Sequence, residues 1–228
     1  MRLFIRYARE ERVKYISHLD LMRTFQRALR RARIPVAYSE GFNPHPRLAF
    51  ASALAVGVTS SDEYMDIILE EPVAPEEFAA RMNFVMPMGL PILDAVQVDE
   101  KVPSLMSMIE RASYQVELSG TVPGLKQMVE DFLSRPAVEI EKQGKKGLQL
   151  VDIKPGIYML RLDDENGSIL HMLLQTGSKG NIRPETVVQE ILRQQSNGGL
   201  EDGLLHIHRD GQYIYKEGEW VSPLALKY

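Results

Sequence analysis

Residues 15–34 read YISHLDLMRTFQRALRRARI, and their spacing decides how the first hundred residues fold. Leu21, Met22, Phe25, Ala28, Leu29 and Ala32 recur at helical intervals, which predicts a helix over 18–33 with one apolar face. Ser17 followed three residues later by Asp20 resembles a capping box, and Pro35 stops the helix. Upstream, Leu3, Ile5 and Tyr7 alternate with Arg2, Phe4 and Arg6, the period of a strand. Downstream, PVAYSEG (35–41) and PRLAFASAL (46–54) are short extended runs, and SDEYMDIILEE (61–71) reads as another strand. Pro75 opens a helix in APEEFAARMNFVM with acids in its first turn, as the helix dipole prefers, and GLPILDAVQV (89–98) closes the segment as a strand. The order β-α-β-β-α-β is the ferredoxin-like pattern.

The second half repeats the plan with decoration. YQVELSG (114–120) reads as a strand and PGLKQMVEDFLSR (123–135) as a helix. AVEIEKQ and LQLVDIK form a hairpin through the turn residues GKKG (144–147), and IYMLRLDD and SILHMLLQ a second through ENG (165–167). RPETVVQEILRQQ (183–195) is a proline-started helix and LLHIHRDGQYIY (204–215) a final strand or hairpin. The expectation is an α+β chain of tandem ferredoxin-like (βαββαβ) domains, the second decorated: 1–98, a connection over 99–113, then 114–228. A length of 228 residues suits two compact units.

The N-terminus is charged throughout, and nothing approaches the ~18 apolar residues of a membrane span, so a cytoplasmic protein with no membrane partner is expected. The chain has no cysteine. That excludes disulfides, a thiol nucleophile, a thiolate zinc site and a cysteine-ligated iron–sulfur cluster, and no cofactor is expected. The net charge of −4 hides an asymmetry: residues 1–50 hold eleven Lys+Arg and four Asp+Glu, a balance of +7, leaving −11 on the other 178 residues. Ten of the eleven cations are arginine, which points to a local anion-binding face on an otherwise acidic body.

That face is the polar side of the first helix. Arg23, Arg27, Arg30 and Arg31 stand at offsets 0, 4, 7 and 8, opposite the apolar set. A solvated face with ion pairs, Asp20 neutralising part of Arg23, is the plain alternative, but the planar fork of arginine suits phosphate or carboxylate. Just beyond lies YSEGFNPHPRLAF (38–50), with Arg47, His45 and the backbone donors of Gly41 and Asn43. Pro44 and Pro46 hold His45 extended, so the loop is stiff enough to present side chains without an ordering cost. As a plain hairpin turn, it would instead pack Phe42 on the core.

His18, Tyr38 and His45 are candidates to converge with the arginines. Together they would have the parts of a metal-independent endoribonuclease, with His18 or His45 as acid and base. His206 and His208 alternate on one strand face, with His171 as a possible neighbour, but no third metal ligand stands at motif spacing. GSKGN (177–181) before a helix start resembles an anion-binding loop without the phosphate-loop form.

The run YISHLDLMRTFQRALRRARIPVAYSEGFNPHPRLAFASALAVGVTSSDEYMDIIL resembles the signature of the radical SAM-linked family of uncharacterised bacterial proteins, DUF2344. VDIKPGIYMLRLDD and GNIRPETVVQEIL fit the family's second half. The resemblance implies a partner: a radical SAM protein with a cobalamin-type domain, to which such domains are fused or beside which they are encoded. With no cysteine for a three-cysteine cluster, this chain would be accessory. The leading expectation is a noncatalytic RNA-binding or substrate-recognition protein for a radical SAM RNA-modification system. In it Arg23, Arg27, Arg30, Arg31 and Arg47 clamp phosphates, Tyr38, Phe42 and His45 stack on or bond a base, and Asn43 supplies a donor. The alternatives are a docking module for the radical SAM enzyme and the endoribonuclease.

Overall fold

The computed structural model describes residues 1–144, 147–163, 167–193 and 205–226. It is a mixed α+β protein with a large sheet and few helices. Two compact units divide the chain: residues 1–110 with 209–228, and residues 111–208.

The first unit begins with β1 (Arg2–Arg9), α1 (His18–Arg31), β2 (Leu48–Phe50) and β3 (Thr59–Ile68), followed by α2 (Pro75–Val85) and β4 (Ile92–Val98). β1 pairs antiparallel with both β3 and β4, and β2 pairs antiparallel with β3, giving the order β4-β1-β3-β2. The alternation of β1 suggests one covered face, yet Arg2 and Phe4 are buried along with Leu3 and Ile5. Both faces of this sheet are covered. On one, Leu3, Ile5 and Tyr7 pack with Phe25 and Leu29 of α1 and Phe78 and Met82 of α2. On the other, Phe4 and Tyr64 lie under Leu105, Ile109 and Ile214. Residues 99–113 therefore do more than connect: they carry the one-turn α3 (Leu105–Met108) and enter β5 (Ile109–Leu118), because Leu105 and Ile109 are core residues.

The second unit takes β5 onward, with α4 (Leu125–Ser134), β6 (Glu139–Gly144), β7 (Gly147–Asp152), β8 (Ile157–Leu162), β9 (Ile169–Gln175) and α5 (Pro184–Leu192). β5 pairs antiparallel with β9 and β9 with β8, while β6 and β7 form their own two-stranded hairpin. Both hairpins read from the sequence are present. Lys145 and Lys146 of the first turn, Glu165 and Asn166 of the second, and Gln194, Gln195 and Leu204 lie outside the described residues. The GSKGN loop folds over Gln175: a Cβ on Gly180 would sit 2.9 Å from the Gln175 amide carbon, and one on Gly156 would sit 2.8 Å from its oxygen. Those glycines serve close packing, and α5 begins at Pro184 with no side-chain cap.

β10 (Leu205–Lys216) starts in the second unit and continues in the first, where β11 (Glu219–Val221) pairs back on it. Within the first unit it is bound to β3 by a polar seam. The Arg209 guanidinium grips the Glu63 carboxylate with two bonds, 2.7 and 2.5 Å, and both side chains are only 2% exposed. The Ser60 hydroxyl donates to the Arg209 carbonyl at 2.9 Å, and the Gln212 N–H donates to Asp62 at 2.7 Å. Tyr64 closes the seam, donating to Asp62 at 2.7 Å with its oxygen 3.1 Å from the Ser222 hydroxyl.

Removing one half of the buried pair leaves the other charge desolvated. Arg209→Met or Glu63→Gln is expected to lower unfolding free energy by about 3–5 kcal/mol, and the combined Glu63→Leu/Arg209→Met change by less than either. Urea unfolding of the three proteins measures this. Burial pushes the Asp62 carboxyl above its ordinary value, against the hydrogen bonds from Tyr64 and Gln212 and the attraction of Arg6 that hold it down. A raised folded-state value means stability that is present below the unfolded value of 3.8 and lost as pH rises through the folded one. Asp62→Asn removes that loss. In a pH series of denaturant titrations the variant gains on the parent as pH rises from about 4 towards neutrality.

Candidate nucleic-acid interface

α1 is built by two separate demands of its sequence. Its start is capped as expected, with Ser17 Oγ accepting from the Asp20 N–H at 3.1 Å and donating to the Asp20 carboxylate at 2.8 Å. Its apolar face docks through an aromatic cluster: Phe25 lies edge-on to Tyr7 at 5.0 Å between centroids and to Phe50 at 5.3 Å. Its C-terminal carbonyls are gathered by Arg81 of α2, which donates to the Ala32 carbonyl at 2.7 and 3.0 Å and to that of Arg33. The helix is thus fixed on its inner side and at both ends, and its outer side is left to arginine.

Arg23, Arg27, Arg30 and Arg31 are all exposed. At about 100° per residue they fall within an arc of about 100°. Arg23 is 3.3 Å from Asp20, an exposed pair three residues apart. Arg27, Arg30 and Arg31 have no acidic partner within ion-pair distance among the described residues. Three guanidiniums therefore share one solvent face without neutralisation, and Arg30 and Arg31 also sit in the last turn, where the helix dipole favours cations.

The loop after α1 is pinned at its base and closed along its length. Ala37 N–H donates to the Ile68 carbonyl at 2.8 Å and Ile68 N–H to that of Arg47 at 3.0 Å. Arg47 N–H meets Ala37 O at 2.7 Å, Ser39 N–H meets His45 O at 2.8 Å, and His45 N–H meets Ser39 Oγ at 3.0 Å. Tyr38 bridges to Pro46. At the tip Gly41 holds φ at +111°, a region that L side chains avoid. The result is a self-bonded finger whose tip carries Phe42, and Phe42 is fully exposed rather than packed on the core. Asn43 and His45 are exposed beside it, as are Tyr38 and Arg47 at its base. Below the finger is a cavity of about 620 Å³, lined by Arg47, Leu48, Ala37 and Glu100 and by the paired Arg2 and Asp66. Arg2 is saturated there, with bonds of 2.9 and 2.5 Å to Asp66 and others to the carbonyls of Glu100, Val102 and Pro103. Arg47 has no such partner among the described residues.

The histidines stand in separate surroundings. His18 is in the first turn of α1 and lies edge-on to Phe50 at 5.5 Å, whereas His45 is held in the finger through its backbone. No hydrogen bond or ring contact joins His18, Tyr38 and His45 among the described residues. His171 is 3.1 Å from Asp163, and no cluster of three His, Asp or Glu able to hold a metal occurs among the described residues.

A family model described as "uncharacterized protein conserved in bacteria (DUF2344)" matches residues 2–184. The chain belongs to that family. Search of curated proteins gave no match. The matched segment of this DUF2344 chain holds α1, the finger and the sheet that supports them. It also holds a residue that the sequence pattern concealed. Arg9 is 2% exposed, and its guanidinium donates to the carbonyls of Ile16 at 2.8 Å, Leu54 at 3.3 Å, Val13 at 3.4 Å and Lys14. It clips the segment that leads into α1 to the loop between β2 and β3. Only its position at the end of a buried strand could have hinted at this.

Because Phe42 is fully exposed while Phe50 joins three rings, the two phenylalanines separate presentation from packing. Phe42→Ala is expected to leave stability within about 0.5 kcal/mol, while Phe50→Ala costs about 3–5 kcal/mol. Thermal and denaturant unfolding distinguish them.

Proposed function

We propose that this DUF2344 protein is a noncatalytic RNA-binding accessory protein of a radical SAM RNA-modification system, with α1 and the finger as its clamp. The observation that carries the reading is the set of unneutralised guanidiniums of Arg27, Arg30 and Arg31 on one face of a helix anchored everywhere else. Guanidinium forks match phosphate oxygens, and the exposed Phe42 ring, with Tyr38 and His45 on the same stiff finger, offers stacking surface for an unpaired base. Arg47 at the finger's base supplies a fourth phosphate contact. The radical SAM partner, with its cobalamin-type domain, is supported by the resemblance of the SHLDLMR and YSEGFNPHP segments. The lack of any cysteine supports it too, since a three-cysteine cluster needs another chain.

We read both units as ferredoxin-like. The β4-β1-β3-β2 pairing of the first and the β5-α4-β8-β9-α5-β10 order of the second support this, with β6 and β7 as the decoration. In the first unit the sheet face that such folds lend to RNA is taken by Leu105, Ile109 and Ile214. That turns attention to the helix and finger. No helix is long and apolar enough to cross a membrane among the described residues, which agrees with a cytoplasmic place of action.

Four arginines meeting phosphates of single-stranded RNA give a slope of about −3 for log affinity against log salt, at about 0.7 per phosphate. Fluorescence anisotropy of a labelled oligonucleotide across a salt series measures it, and Arg27→Ala/Arg30→Ala/Arg31→Ala should flatten it by about 2. A slope near zero in the parent protein would sink the clamp. The full exposure of Phe42 also suits a protein anchor, the second reading: Arg27→Glu/Arg31→Glu would then abolish copurification of the radical SAM partner while leaving RNA binding unchanged.

A further inference from the structure

In the second unit the sheet has an outward face whose chemistry differs from a core. Along β5, Ala112, Tyr114 and Val116 are buried, and Arg111, Ser113 and Gln115 alternate with them on the opposite face. Along β9, Leu170, Met172 and Leu174 are buried, with His171 and Leu173 opposite. Register aligns these positions into rows. Gln115, His171 and Arg161 form one row across β5, β9 and β8, and Ser113, Leu173 and Met159 form the next. At the far end the Arg111 guanidinium lies 3.8 Å from the centre of the Tyr158 ring.

We propose that this face is a second surface for single-stranded RNA, with the Arg111–Tyr158 stack as the platform for one base and the Gln115–His171–Arg161 row binding the next nucleotide. The inference rests on the reading that this chain binds RNA, and it assigns a contact distinct from α1 and the finger. Adjacent rows are about 6.6 Å apart, twice the rise of a strand, which leaves room for one unstacked base per row. A guanidinium stacked on a phenol ring presents a rigid π surface, and amide, imidazole and guanidinium groups in one line can bond a base edge and the neighbouring phosphate. The positive charge comes from Arg111 and from Arg161, which is exposed without an acidic partner among the described residues; Asp163 holds His171, and Glu117 stands in the next row, opposite Ile169. The comparable face of the first unit is closed by apolar residues, whereas Gln115, Tyr158, Met159 and Arg161 of this face are exposed.

The test uses the full chain with labelled 12-nucleotide oligo(U) and oligo(A), comparing Tyr158→Ala/Arg161→Ala, Tyr158→Phe and Arg27→Ala/Arg30→Ala/Arg31→Ala. The expected result is a loss of about tenfold in affinity for Tyr158→Ala/Arg161→Ala at unchanged thermal midpoint. Tyr158→Phe, which keeps the stacking ring, should bind as the parent does, and photocrosslinks should map to residues 157–161. If Tyr158→Ala/Arg161→Ala binds as the parent does while the triple arginine variant fails, the second surface is overturned and the α1 clamp stands. If the parent binds neither oligonucleotide, both fall. Loss of a copurifying protein from Tyr158→Ala/Arg161→Ala, with RNA binding unchanged, would make this face a protein interface and overturn the proposal.

Discussion

The ion pair between Glu63 and Arg209 is the constraint on which the first unit depends. Two charges taken almost wholly out of water are costly, and only bidentate geometry with surrounding hydrogen bonds offsets that cost. Such a pair tolerates no slip. A shift of one residue would turn Arg209 to the opposite face of its strand and break its two-bond grip on Glu63. The pair, with Asp62 and Gln212 beside it, therefore sets where the C-terminal segment lies, and Tyr64 with Ser222 extends the grip. Ile214 is placed over Phe4 and Tyr64 as a consequence.

That sheet face is closed, whereas a four-stranded sheet with one bare face is the usual ground for reading single-stranded RNA. The outside of α1 and the finger above β2 stay accessible. Each is rigid for its own reason. Phe25 stacked among Tyr7 and Phe50, together with Arg81 at the C-terminal carbonyls, holds the helix, whereas the Ala37–Arg47 and Ser39–His45 bonds hold the finger. Neither anchor draws on Arg27, Arg30, Arg31 or Phe42, so these remain available to a ligand without loss of structure. Side chains that the fold does not need, on supports it cannot do without, are what a binding surface requires.

Much of this was legible in the sequence because the signals are local. Ser17 and Asp20 predict their own cap, the apolar spacing of α1 predicts its buried face, and the arginines must then fall outside. The turn-rich hairpins of the second half are legible for the same reason. The burial of Arg2 and Arg9 was not, because an arginine alternating with apolar residues looks like the wet side of a strand until the carbonyls and carboxylates that meet it are known. Asp66 lies 64 positions from Arg2, and Leu54 lies 45 from Arg9.

By itself the sequence determined most of the elements, the helical register that segregates guanidinium from core, the stiffness of a loop with two prolines, and the absence of thiol chemistry. Each follows from neighbours within a few residues or from composition alone. Tertiary structure decided that Phe42 points into solvent, that His18 meets Phe50 while His45 is held in the finger by its backbone, and that the last strand returns to close one sheet face of the first unit. Those outcomes depend on pairings such as Glu63 with Arg209, 146 residues apart, whose energy comes from desolvation and geometry that no local pattern encodes.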